Sequence, residues 1–216
     1  NDGAVRGVLP KTPMRRKGRF VNFIRIVGLA AVLGAGIACA ADQQTSTPAG
    51  PQAPAEPSTT ASASEAELAL PGATVDRPSG WTFRQPSSSM RLAEAEIPGP
   101  GGPAMLTVFF FGAGGGGGVD ANLDRWVGQI ELDPGATAER GGFEVNGYSV
   151  SIIEAVGTLL PSRMGGGPSE PAPGSKLLGA VVEGPGGPWF FKVTGPKDTV
   201  SAAEPAFGQM LQSIKP

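Results

Sequence analysis

Apolar positions fall into three regimes along this chain. They run unbroken through residues 26–38, show no period through residues 41–66, and alternate with polar positions at strand and helix spacings from residue 68 onward. In the third regime, residues 90–97 predict a strand with Ala93, Ala95 and Ile97 on one face and Glu94 and Glu96 on a wet face. Residues 105–111 are apolar at nearly every position, which predicts a central strand covered on both faces. Residues 148–159 place Tyr148, Val150, Ile152 and Val156 in one row. Residues 176–183 and 189–194 are strands joined by Gly184-Pro185-Gly186-Gly187-Pro188, the signature of a hairpin.

Helical spacing appears twice. Val119, Leu123, Trp126, Val127 and Ile130 share one helix face, with Asp120, Asp124 and Arg125 opposite. Val200, Ala203, Phe207, Leu211 and Ile214 repeat the pattern, with Thr199 or Asp198 as N-cap. Pro205 is tolerable only in a first turn, so this helix is expected to start late or to kink. The order of elements predicts an α+β domain over residues 67–216, an antiparallel sheet with two main helices packed on it. At roughly 150 residues it can bury about 70% of its unfolded surface in one core.

The continuous apolar run belongs to a different grammar. Arg6, Lys11, Arg15, Arg16, Lys17, Arg19 and Arg25 precede it, against Asp2 alone, and small residues end it. Basic, apolar and small-residue blocks in that order are those of a secretory signal peptide. The run, about 13 residues, is short of the ~20 that cross a bilayer, and Arg25 stops its extension backwards. Translation is expected to start at Met14, which gives the basic block Met14-Arg15-Arg16-Lys17 normal proportions. Gly36-Ile37-Ala38-Cys39 resembles a bacterial lipobox, in which the cysteine is acylated and becomes the new N-terminus. Cleavage at Ala38-Cys39-Ala40, releasing a soluble protein, is the alternative. A twin-arginine reading of Arg15-Arg16 is weakened by its flanks.

Residues 1–40 are therefore expected to be an N-terminal extension and signal peptide. Residues 41–66 form a disordered Ala/Ser/Thr/Pro linker, too poor in apolar area to offset the entropy of ordering it. The expected location is the cell envelope, membrane-anchored through lipid on Cys39 and facing periplasm or exterior.

Composition removes several chemistries. Among 216 residues there is no histidine and one cysteine, so no Ser-His-Asp relay, imidazole metal site, intramolecular disulfide or thiolate zinc cage can form. Gly 34 and Pro 22 put part of the chain at the low-complexity level. The acidic folded part disfavours nucleic acid.

The glycine run 112–118 contains GxGxxG at Gly112, Gly114 and Gly117. A dinucleotide site needs a preceding parallel strand and a following ribose-binding acid, and the pattern lacks both. A mobile solvent loop is expected there, with no nucleotide, cofactor or metal. Glu154, on an apolar row, could be a perturbed acid, but a partner such as Lys176 or Lys192 is expected to pair with it. Two carboxylates can hydrolyse glycosides without histidine, so an enzyme stays open on composition alone. Trp189 could offer an aromatic surface for a glycan or peptide; core packing is the expected role, as for Trp81 and Trp126. Residues 162–175 form a long loop without apolar anchors.

Pro78-Ser79-Gly80-Trp81, the element order and the closing helix over residues 205–214 look like the PsbP-like α/β/α sandwich, over residues 73–216. The whole chain also resembles uncharacterised bacterial lipoproteins with a glycine-rich insert before a tryptophan-bearing helix. The resemblance implies a non-enzymatic binding or structural accessory module and transfers no site residues; an envelope protein or glycan is the expected partner. A carboxylate-dependent envelope hydrolase is the competing expectation.

Overall fold

The computed structural model describes residues 66–162 and 167–216. The expected signal peptide, Met14, Cys39 and the linker up to residue 65 lie outside the described residues, as do residues 163–166. The described elements run β1 (Glu67–Leu70), β2 (Ala73–Asp76), β3 (Thr82–Arg84), β4 (Arg91–Ile97), β5 (Ala104–Phe110), α1 (Val119–Val127), β6 (Ile130–Leu132), β7 (Glu139–Val145), β8 (Tyr148–Leu159), β9 (Ala172–Glu183), β10 (Trp189–Pro196) and α2 (Lys197–Gln212). The class is α+β, as the spacings predict. No described helix is long and apolar enough to cross a membrane.

One large sheet runs β3-β4-β5-β10-β9-β8, and β6 and β7 share the outer edge of β8. β7 pairs with residues 148–154 of β8 and β6 with residues 157–159. All these pairings are antiparallel. β1 and β2 form a separate hairpin fastened to the end of the closing helix. Thr74 and Lys215 exchange both backbone hydrogen bonds, at 2.8 and 3.0 Å, and the Asp76 N–H donates to Ser213 Oγ at 2.8 Å.

Strand alternation sorts the core into two clusters on opposite faces of the sheet. On β10, Trp189, Phe191 and Val193 point to the face covered by Val200, Phe207 and Leu211 of α2 and by Leu68 and Val75 of the hairpin. Phe190 points the other way, to Leu123 and Trp126 of α1 and Ile153 of β8. The sheet is thus packed on both sides, one helix to each.

Three local expectations are corrected. α1 stops at Val127 with Gly128 as C-cap, so Ile130 is not helical. It opens β6 opposite Leu159 and still buries in the α1 cluster; its spacing recorded burial, not continuation of the helix. α2 begins at Lys197 with Pro196 at the cap position. Thr199 is occupied elsewhere, accepting from the Gly101 N–H and donating to the Gly102 carbonyl, and Ile214 lies beyond the last turn. Pro205 sits inside the helix, beyond its first turn, at an exposed position, and residue Ser201 one turn back is exposed as well. The anchorless loop is also shorter than expected, because β9 begins at Ala172.

Candidate functional site

α1 is only nine residues long and does not span the face it covers. Beside it, β5 and β10 open onto a groove of about 820 Å³. The expectation of a central strand covered on both faces therefore holds for one side of β5 alone. Leu106 and Val108 are buried under α2, whereas Phe109 is half-buried and Phe111 is 41% exposed. Those two rings stack 6.1 Å apart, and Phe111 tilts against Phe190 at 5.7 Å. Met90 and Leu160, at 59% and 37% exposed, complete the rim. Met90, Phe111 and Leu160 are the exposed large hydrophobics among the described residues, and all three line this groove.

The glycine run supplies one wall. Buried Asn122, in the first turn of α1, donates from Nδ2 to the carbonyls of Gly116 and Gly118, each at 2.8 Å. At Gly116 φ is +79°, and a Cβ there would lie 2.6 Å from Phe190 Cζ and 2.9 Å from Phe111 Cδ2. Glycine is required for both the backbone and the close approach. The expected solvent loop is thus tied at its centre. β5 is antiparallel to β4 and β10, so the parallel unit of a dinucleotide site is absent around it. Asp120, beside the loop, pairs with Arg140.

Inside the groove stands Lys192 of β10. Its Nζ donates to Gln129 Oε1 at 2.9 Å, and among the described residues no carboxylate pairs with it. Burial, reinforced by the positive charges of Arg91 and Arg125, pushes its pKa down to about 8. Arg125 donates to Asn122 Oδ1, so the same asparagine that ties the glycine loop orients a second cation at the groove.

A second cavity of about 620 Å³ shares Leu159, Gly167 and Thr194 with the first and is lined in part by Glu94. The expectation that Glu94 lies on a wet face is corrected: it is 1% exposed. A register irregularity between Arg91 and Ala93 accompanies the contact of the Arg91 guanidinium with the carboxylate. Glu94 Oε1 also accepts from the Ser87 N–H at 3.0 Å and from Ser87 Oγ at 2.7 Å. Burial alone would raise its pKa; the bonds from Ser87 and Arg91 outweigh burial and hold it below the usual carboxylate value.

Glu154 finds the first of its two expected partners. Lys176 bridges Glu154 and Glu204 of α2; burial disfavours the ammonium, but the two carboxylates outweigh it and its pKa is raised. Ile153 and Ala155 face α1, so Glu154 lies on the opposite face of the sheet from the groove. Trp189 is fully buried, stacked on Phe110 and edge-on to Tyr148, and presents no surface. Trp126 is buried as expected, while Trp81 is only half-buried. Among the described residues no group of three or more acidic or cysteine side chains could hold a metal.

The exposed aromatic surface comes from Phe109 and Phe111, which sequence reasoning assigned to the core. The one available signal was the run Phe109-Phe110-Phe111 ending directly in glycines.

No family model matches the chain, and no curated protein matches it. Among solved structures, it is similar to a Pseudomonas aeruginosa protein of unknown function described as a putative regulator. The TM-score is 0.41 at 15% identity, over 69% of this chain and 95% of that one.

Proposed function

We propose that the protein is a non-enzymatic binding module of the cell envelope, exported by the segment up to residue 40 and tethered through acylated Cys39. In this reading the linker over residues 41–66 spaces a PsbP-like α/β/α sandwich from the membrane. The two helices on opposite faces of the sheet support the sandwich. The groove is the ligand site, and the observation that carries it is the convergence of Met90, Phe111 and Leu160 on one cavity. Exposed apolar side chains concentrated in one place mark binding surfaces, whereas scattered ones need no explanation. A groove of about 820 Å³ also falls within the size of ordinary small-molecule sites.

The competing hydrolase reading has less to stand on. Glu94 and Glu154 each sit against a cation and on opposite faces of the sheet, so the two do not form a carboxylate pair about one bond.

The groove is tested with an apolar fluorescent dye, 8-anilinonaphthalene-1-sulfonate, titrated into the full chain. Saturable one-to-one binding that weakens at least fivefold in Phe111→Asp is expected; equal binding by both proteins rejects the groove. The tether is tested by fractionation, in which Cys39→Ala should lose lipid mass and membrane association.

A further inference from the structure

We propose that the occupant of the groove is a long-chain aliphatic carboxylate, its head seated on Lys192 and its chain laid over Phe109 and Phe111 toward Met90 and Leu160. This rests on the reading of the groove as a ligand site and adds the chemistry of the ligand.

Charge complementarity is the first argument. The Lys192 ammonium carries three N–H donors, and one is used by Gln129. Among the described residues no carboxylate lies within salt-bridge distance of it. Glu94 shares its face of the sheet two strands away, in register through Thr107, and is already paired with Arg91, while Arg91 and Arg125 both depress the proton affinity of the lysine. An anion entering here meets a positive field in a partly desolvated site, where such attraction is worth most.

The choice of anion rests on the ammonium. A phosphate head calls for bidentate guanidinium contacts; Arg91 lines the second cavity and is held by Glu94 and Ser87, and Arg125 gives one of its five donors to Asn122. Lys192, with two unused donors, matches the two oxygens of one carboxylate, and dodecyl phosphate is the control for a head shared with Arg125.

The walls decide the rest of the molecule. Phe109 and Phe111, with Met90 and Leu160 at the rim, offer apolar surface with no hydrogen-bonding group, which suits an alkyl chain and leaves the hydroxyls of a glycan without partners. A peptide would bind by adding a strand to an open sheet edge. The groove lies over β5 and β10, which are paired to each other along their length and have no backbone donors or acceptors to spare.

The test is calorimetric titration of delipidated, full-length Cys39→Ala protein, prepared without detergent, with dodecanoate, dodecanol, dodecyl phosphate and dodecyltrimethylammonium. Dodecanoate is expected to bind one-to-one and tightest of the four. Each methylene removed, down to octanoate, should weaken it about fourfold, the effect of about 0.8 kcal/mol per buried methylene. Lys192→Met should weaken dodecanoate roughly tenfold or more, as for one lost charge-assisted hydrogen bond, and leave dodecanol unchanged. Lys192→Arg should retain most of the affinity.

Equal binding of dodecanol and dodecanoate to the unsubstituted groove, or tighter binding of dodecyl phosphate, overturns the carboxylate while the groove survives as a ligand site. Failure of all four compounds, together with dye binding that ignores Phe111→Asp, overturns both.

Discussion

Gly179 lies directly beneath Trp126: a Cβ at residue 179 would come within 2.6 Å of the indole Cζ3. In the sheet, Gly179 sits between Lys192 of β10 and Ile153 of β8. The missing side chain lets the helix seat its tryptophan against the sheet, next to the strand that carries the groove lysine. Gly179→Ala should therefore overpack this contact and destabilise the fold by about 1–3 kcal/mol, read as a lower urea midpoint with a shifted Trp126 emission. Gly208→Ala is the contrast. Gly208 lies in α2, and a Cβ there would meet nothing within 4 Å, so the same change should stabilise by about 0.5–1 kcal/mol.

Lys192 predicts an unusual alkaline slope. Its pKa is about 8 in the folded protein against 10.5 unfolded. Between those values the unfolded chain holds a proton that the folded one has released, so stability rises with pH. Below about 8 the folded state carries the full penalty of the half-buried charge. Urea denaturation at pH 7 and pH 9.5 should show the increase, and Lys192→Met should abolish it while raising the midpoint at pH 7. A rise that persists in Lys192→Met assigns the slope to another group.

The acid limb belongs to Glu94. Its pKa is lowered from 4.5, so its stabilising contribution is fully present above 4.5 and is lost as pH falls through the folded value. Glu94→Gln leaves Arg91 without its counter-charge in a mostly buried position. The expected loss is about 3 kcal/mol, toward the lower end for breaking a buried pair, because the adjoining cavity admits water. It should appear at pH 7 and shrink toward pH 3; a constant difference between the two proteins across that range would show that the charge is not what matters.

Gly116→Ala separates the shape of the groove from its charge. The backbone φ of +79° and the close approach to Phe190 both oppose a side chain. The substitution should lower dye affinity by roughly tenfold, or about 1.4 kcal/mol, by displacing Phe190 and Phe111. Lys192 titration, followed by the pH dependence of unfolding, should stay unchanged. A variant with unaltered dye binding would show that the glycine loop does not form a groove wall.

Much of the framework was legible in the sequence because it is written in long apolar runs. β8, β9 and β10 announce themselves through Ile152, Val181 and Phe191 and through the Gly-Pro turn. The Glu154–Lys176 pair was legible as well, because a carboxylate on an apolar row needs a cation within reach. β7 was not, since an edge strand with Gly141 and Gly142 at its centre lies largely exposed and carries no alternation. The first hairpin escaped notice because each strand is four residues long. The groove was illegible for a deeper reason. Phe109 and Phe111 have the sequence pattern of core residues, and the nine-residue α1 leaves them only partly covered. Helix length is set at one place in the chain and its effect is felt at another.

Through the clasp between Thr74 and Lys215, the first hairpin of the described residues and the segment after the last helix are buttoned to each other, so neither can fray unless the other lets go, and the two ends of the fold melt as one unit.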